Sequence, residues 1–216
     1  MSLTDKKTKN VVIIVAHPDD ETLWAGGTIL SHPEWRCFIV CLCRKNDPDR
    51  APKFARALKT LGARGIMGDL DDGPDQRPLG ENEVEEAILQ LCPVRDFDLV
   101  ITHSIRGEYT RHLRHEEIAK AVVTLWETGK LNATELWAFA YEDGHRGYYP
   151  IVIEDAPLFY PIPHGLWERK YNIITQIYGF EKDSWEAMTT PKEEAFWQFF
   201  TLGQARQFLA GGTYAL

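Results

Sequence analysis

Val11 to Ala16 is an unbroken apolar run, VVIIVA, and it is followed at once by His17-Pro18-Asp19-Asp20-Glu21. A short run that is apolar at every position reads as a strand buried on both faces, which calls for a sheet covered by helices on both sides. The abrupt change to a histidine and three adjacent carboxylates is not what a simple turn requires, because the carboxylates repel one another. A positive charge at that point removes the conflict. The same run-then-loop pattern recurs at "DLVITHS" (98–104), which leads into the charged stretch "THSIRGEYTRHLRHEE".

The elements between these two points alternate. "RCFIVCLC" (36–43) reads as a second strand, with Cys37, Cys41 and Cys43 on one face and Phe38, Val40 and Leu42 on the other. Residues near 22–31 read as a helix. Another is expected after Pro52, with Phe54, Ala57, Leu58 and Leu61 inward and Gly62 as its stop. "RGIMG" reads as a short strand. Asn82 is expected to cap a helix burying Val84, Ala87, Ile88 and Leu91, with Glu85 completing a capping box. A helix from His115 to Glu127 carries Ile118, Val122, Leu125 and Trp126 on one stripe, and "ELWAFAYED" (135–143) is a late strand. The pattern predicts a Rossmann-like, doubly wound α/β domain with a mainly parallel sheet and helices on both faces. Beyond Pro150 the chain turns aromatic-rich, and "HGLWERKYNIITQIYGF" and "PKEEAFWQFF" read as a helical cap on the same domain. The expected organisation is one domain over 1–216, with a core over about 11–145 and a cap over about 146–216. Trp167, Tyr171, Tyr178, Trp185 and Trp197 are assigned to core packing in preference to a sugar-stacking surface.

A net charge of −8 and a pI near 5.4 argue against nucleic-acid and anionic-membrane partners. No apolar run is long enough to span a bilayer, and the basic start MSLTDKKTKN does not lead into a signal-peptide pattern. The four cysteines form no CxxC pair and read as small buried hydrophobes, which suits a reducing, cytoplasmic setting. No GxGxxG follows the first strand, so a dinucleotide site is not indicated.

In doubly wound sheets ligands collect at the carboxyl ends of the strands, which brings the His17 loop and the second charged stretch to one edge. His17, Asp20 and a histidine from the second loop can then hold one divalent cation, with His112 and His115 both available three residues apart. Three such ligands leave a fourth position for water, the arrangement of a catalytic zinc. Asp19, adjacent to a ligand without being one, is placed as the general base. Read singly, Pro-Asp-Asp is also ordinary turn chemistry, and His112 or His115 on a charged helix start is ordinarily solvated.

The opening segment "AHPDDETLWAGGT" closely resembles the first motif of the LmbE-like, or PIG-L, deacetylases, AHPDDE followed by GGT. "THSIRGEYTRHLRHEE" resembles their second, a Gly-[Asp/Glu]-Tyr followed by a His-x-x-His pair. The resemblance implies zinc-dependent removal of an N-acyl, usually N-acetyl, group from a small-molecule amino sugar, with another divalent metal as an alternative. It implies His17, Asp20 and His115 as metal ligands and Asp19 as general base. His112 stabilises the oxyanion or passes a proton, and Tyr109 polarises the carbonyl. Three departures stand out. Cys43-Arg44-Lys45-Asn46 replaces the frequent Thr-Asp-Gly, Arg50 is followed by Lys53 where Arg-x-x-Glu is common, and the histidine pair reads His-Leu-Arg-His. Arg44 and Arg50 border the implied substrate site and are assigned to substrate binding. With Lys45 they either face an anionic aglycone or are exposed loop cations. A non-sugar amide substrate and a catalytically silent metal- or sugar-binding domain are the alternative functions, and a homo-oligomer is left open.

Overall fold

The computed structural model describes residues 8–92, 94–105, 107–108, 112–142, 144 and 147–210. The elements run β1 (Asn10–Val15), α1 (Asp20–Ser31), β2 (Arg36–Cys43), α2 (Arg50–Leu61), β3 (Arg64–Leu70), α3 (Glu81–Leu91), β4 (Asp96–Thr102), α4 (Leu113–Glu127) and β5 (Asn132–Phe139). Then follow β6 (Leu158–Pro161), α5 (His164–Asn172), a π-helical turn (Ile173–Ile177), α6 (Trp185–Thr189), β7 (Glu193–Phe199) and α7 (Leu202–Leu209). They build one seven-stranded sheet in the order β3-β2-β1-β4-β5-β7-β6. β1 to β5 are parallel, and β7 runs antiparallel to both β5 and β6.

The apolar runs dictate this layering. Val11 to Val15 have no solvent exposure. Ile13, Ile39 and Ile101 pack with Leu23, Phe54 and Ile173 on one face. Val12, Ile14, Val40 and Val100 pack with Val84, Ile88, Ile118 and Val122 on the other. Cys37 and Cys41 join the first face as their parity requires, and all four cysteines are free and buried. Burial pushes the Cys37 and Cys43 thiols up to about 12, which disfavours thiolate chemistry. Among the described residues no helix is long and apolar enough to cross a membrane.

The C-terminal third is tied to the first helix by charge. Every residue of α1 from Asp20 to Leu30 is buried, because α5 covers the side that the sheet does not. Lys170 Nζ reaches Glu194 Oε1 at 2.7 Å with both side chains fully buried. The two Glu194 oxygens also accept the amide N–H groups of Gly27 (2.8 Å) and Thr28 (2.6 Å). A Cβ on Gly27 would lie 2.3 Å from Ile162 Cδ1, so only glycine admits this approach. The GGT segment is thus a docking point for a buried ion pair.

Some expected boundaries move. "PKEEAFWQFF", read as helical, forms strand β7, which pairs with β5 and β6. Its apolar positions fit both periods, and pairing with the β5 edge decides for the strand. Asn82 is not a cap, since the carbonyl of Gly80 accepts from Glu83 and Val84 and the helix starts at Glu81. β4 begins at Asp96 and ends at Thr102, which leaves His103 and Ser104 in the loop beyond it. β5 covers 132–139 instead of 135–143. α4 begins at Leu113, so His112 is its N-cap residue and His115 lies in the first turn.

Candidate active site

β1 lies between β2 and β4, so the strand order reverses beside its carboxyl end. That reversal opens a crevice where ligands bind in doubly wound sheets. Three loops meet there: residues 16–19 after β1, the loop after β3 that carries Asp72, and the segment between β4 and α4 that carries His103, Glu108 and His112.

His17, Asp20 and His115 converge on a single point. His17 Nδ1 is 3.2 Å from His115 Nε2 and 3.3 Å from Asp20 Oδ2, and His115 Nε2 is 3.4 Å from the same oxygen. The three atoms form a near-equilateral triangle. A tetrahedral ion with ligand bonds of about 2.0–2.1 Å separates its ligand atoms by about 3.3–3.4 Å, so the donor set and its spacing fit a divalent cation such as zinc. The local field also favours positive charge. Burial opposes protonation of His17, but its contacts with Asp20 and Asp72 outweigh it and raise the pKa to about 9. At His115 burial is likewise overcome, by Asp20 and Glu108, and the pKa rises to about 10.

Each ligand is held from behind. His17 Nε2 faces Asp72 Oδ1 at 3.1 Å, and His115 Nδ1 faces Glu108 Oε2 at 2.5 Å. Carboxylates on the far ring nitrogens fix which nitrogen stays free for a metal. Asp20 Oδ1 accepts the indole N–H of Trp24 (3.2 Å), and its Oδ2 accepts the backbone N–H of His17 (2.8 Å). His103 also lies near Asp20 and His115. It is not free to ligate, since its Nε2 accepts the Ala16 N–H at 2.9 Å. That leaves the proton on Nδ1, 3.0 Å from Glu108 Oε1. His103 instead stacks on His115, with ring centroids 3.9 Å apart.

Asp19 and His112 flank the triangle. Asp19 sits just before α1 with φ 132°, a conformation that side-chain-bearing residues rarely adopt. Its Oδ2 accepts from Arg50 at 3.1 Å. Burial and then the Asp20 charge push its pKa well above the usual carboxylate range, with Arg50 acting in the opposite sense. The His112 ring stands 4.6 Å from that of His115 and 4.8 Å from that of His17. Burial and the neighbouring imidazolium charges lower its pKa to about 4. Its buried Nδ1 has no hydrogen-bond partner among the described residues.

These groups line a cleft of about 220 Å³, together with Arg44, Trp185 and Glu186. Arg44 forks onto Asp72 Oδ2 through Nε (3.0 Å) and a terminal nitrogen (2.6 Å), so it braces the acid behind His17. Arg50 likewise spends one terminal nitrogen on Asp19. Trp185, assigned to packing, stands in the cleft wall, with its ring 6.4 Å from Trp24. Tyr109 lies outside the described residues. Asp72, Glu108 and His103 are parts of the site that the sequence motifs do not single out. Glu108 and His103 sit inside the quoted second motif, whereas Asp72 carried no comparable signal.

Residues 12–126, more than half of the chain, match the PIG-L family, described as GlcNAc-PI de-N-acetylase. An uncharacterized protein of Acanthamoeba polyphaga mimivirus is 20% identical over 179 residues, covering 76% of each chain. The N,N'-diacetylchitobiose deacetylase of Pyrococcus horikoshii shares the fold with a TM-score of 0.67 and 17% identity, over 89% of this chain and 84% of that one. The 4-carboxy-2-hydroxymuconate hydratase GalB of Pseudomonas putida shares it with a TM-score of 0.60 and 18% identity, over 89% and 97%. With the family match spanning both motifs, and the fold bringing those motifs together at one sheet edge, this chain belongs to the PIG-L family.

Proposed function

We propose that the protein is a metal-dependent amide hydrolase that removes an N-acyl group, typically N-acetyl, from an amino-sugar derivative. The observation that carries the reading is the triangle of His17 Nδ1, Asp20 Oδ2 and His115 Nε2, with edges of 3.2, 3.3 and 3.4 Å. The family match and the deacetylase of like fold support the choice of reaction. The chain works as one domain, in which Trp185 and Glu186 of the C-terminal third help to wall the cleft.

His17, Asp20 and His115 hold the cation, zinc being the metal that best suits two imidazoles and one carboxylate. When bound, it supplies Lewis acidity that lowers the pKa of a water to about 7 and polarises an acyl carbonyl. Asp19, beside the ligand Asp20, takes the proton of the attacking water, and Arg50 keeps its carboxylate oriented. The water oxygen bonds to the amide carbon, the C–N bond breaks, and the amine leaves with a proton. His112 is neutral near pH 7 and stands at the edge of the triangle, where a ring N–H donates to the developing oxyanion, while Asp19 passes the proton it took from the water to the leaving amine. Tyr109 is assigned to polarising the carbonyl, as the family resemblance implies. Arg44 and Arg50 face the substrate with the donors that Asp72 and Asp19 leave free. A reducing, cytoplasmic setting suits the four buried thiols.

The experiment is amine release from a panel of N-acetylglucosaminides and simple N-acetyl amines, with and without a chelator. Release that stops with the chelator and returns with zinc supports the reading. Release from the simple amines alone moves the substrate to non-sugar amides. Metal binding without turnover would leave a binding domain. A second reading, hydration of an unsaturated acid, draws on the hydratase of like fold. Loss of dienoate absorbance on incubation would select it.

A further inference from the structure

The segment "NIITQIYGF" has no part in the chemistry above, yet its last residues reach Asp19 by two routes. α5 passes into the π-helical turn Ile173–Ile177, where the Tyr178 N–H bonds the Ile173 carbonyl at 2.9 Å. Such a turn holds one extra residue, rotates the chain beyond it, and occurs frequently at functional sites. Here it swings Tyr178 inward to 2% exposure.

The first route runs through the backbone. The Tyr178 hydroxyl donates to Glu21 Oε1 at 2.8 Å, and the Thr22 hydroxyl donates to the same oxygen at 2.6 Å. Glu21 Oε2 accepts the backbone N–H of Asp19 at 3.1 Å. Glu21 is fully buried, so these donors are what hold its carboxylate. Backbone held as at Asp19, with φ 132°, is strained and persists only where the surroundings enforce it. Glu21 is that enforcement, and Tyr178 fixes Glu21.

The second route runs through the side chain. Gly179 has φ +78°, a turn that a side-chain-bearing residue adopts only with strain, and it delivers Phe180. The Phe180 ring faces the Arg50 guanidinium at 4.6 Å, and Arg50 donates to Asp19 Oδ2 at 3.1 Å. A planar guanidinium laid on an aromatic face keeps its fork in one orientation.

We propose that the turn Tyr178-Gly179-Phe180 positions the general base, Tyr178 setting the backbone of Asp19 through Glu21 and Phe180 setting its carboxylate through Arg50. The inference rests on the reading of Asp19 as that base. Tyr178 and Phe180 are positioning residues, since neither touches the reacting atoms. A phenyl ring alone would fill the Tyr178 site, and its hydroxyl is needed only for the contact with Glu21.

The test uses the zinc-loaded full chain as wild type, Tyr178→Phe, Phe180→Leu and Phe180→Tyr, with amine release, zinc affinity and amide hydrogen exchange at Asp19 as readouts. Tyr178→Phe is expected to lower kcat roughly tenfold or more with KM and zinc Kd little changed, because small displacements of a reacting group are costly. It is also expected to speed Asp19 amide exchange roughly tenfold as the local clamp loosens. Phe180→Leu is expected to lower kcat at unchanged Asp19 exchange, and Phe180→Tyr to retain activity. Unchanged Asp19 exchange in Tyr178→Phe overturns the proposal, as does a loss confined to KM or to zinc affinity. If Tyr178→Phe does not fold, unaltered kcat in both Phe180→Leu and Arg50→Lys overturns it, and a kcat loss in both supports it. A wild type that hydrolyses no amide refutes the hydrolase reading, whereas an active wild type with unaffected variants refutes the positioning role alone.

Discussion

Asp72 holds His17 by its Nε2 at 3.1 Å, on the side of the ring opposite the nitrogen that faces Asp20 and His115. The same carboxylate receives the fork of Arg44. A residue from the loop after β3 thereby fixes the tautomer of a residue from the loop after β1. Replacing a carboxylate that backs a ligand typically weakens metal affinity about 10–100-fold, so Asp72→Asn is expected to raise the zinc Kd by that order. A competition titration against a chromophoric chelator measures it, and an unchanged Kd would remove Asp72 from the site.

The metal-free protein is expected to lose stability as pH rises. His17 and His115 have folded pKa values raised from 6.5 to about 9 and about 10. The folded chain therefore binds more protons than the unfolded chain above pH 6.5. The stabilisation is full below the unfolded value and is lost as pH climbs through 9 to 10, each extra bound proton contributing about 1.4 kcal/mol per pH unit. Glu21, raised by burial to about 7, acts in the same sense between 4.5 and 7. Urea unfolding of chelator-treated protein at pH 7 and pH 8.5 should show the lower midpoint at pH 8.5. Zinc uptake near pH 7 should release protons, visible by calorimetry in buffers of different ionisation enthalpy. Stability that increases with pH would contradict the assignment.

The buried pair of Lys170 and Glu194 secures the C-terminal third to α1. Lys170→Met removes the cation and leaves a fully buried carboxylate, for which a loss of about 3–5 kcal/mol is expected in chemical denaturation. Glu194 keeps the Gly27 and Thr28 amides as donors, which places the result toward the lower end. A change indistinguishable from zero would mean that the pair does not hold the two parts together.

Gly27→Ala brings a methyl group within 2.3 Å of the Ile162 side chain. Destabilisation of about 1–3 kcal/mol is expected, and Ile162→Ala in the same chain should recover part of it by vacating that space. Thermal melts of the two single variants and the double variant test this coupling. Strict additivity would show that the close approach at Gly27 is not the cause.

The parallel half of the fold was readable because Val11–Val15, Ile39–Leu42 and Leu99–Ile101 are apolar on both faces, a pattern that only a sheet covered on both sides satisfies. β7 was not, because Phe196, Trp197 and Phe199 suit a helical stripe as well as a strand, and its pairing partner β5 lies about sixty residues earlier in the chain. The histidine and aspartate ligands were legible as local clusters joined by the rule that ligands gather at strand ends. The acids behind them were not. Asp72 pairs with His17 across 55 positions and looks in sequence like one acid among several in "DLDDGPD". Glu21, read as metal-compensated charge, proves to be a buried acceptor, and one of its donors, Tyr178, comes from the far end of the chain.

His17, Asp20 and His115 are proposed to share one dication. Elemental analysis of the protein after zinc loading and dialysis, alongside His17→Ala, Asp20→Asn, His115→Ala and Asp19→Asn, tests this most directly. One zinc per chain is expected in the wild type and in Asp19→Asn, with zinc lost from the other three and no amide hydrolysis in any of the four variants. Zinc retained at full stoichiometry after removal of any of the three proposed ligands, or absent from the wild type, would contradict that sharing.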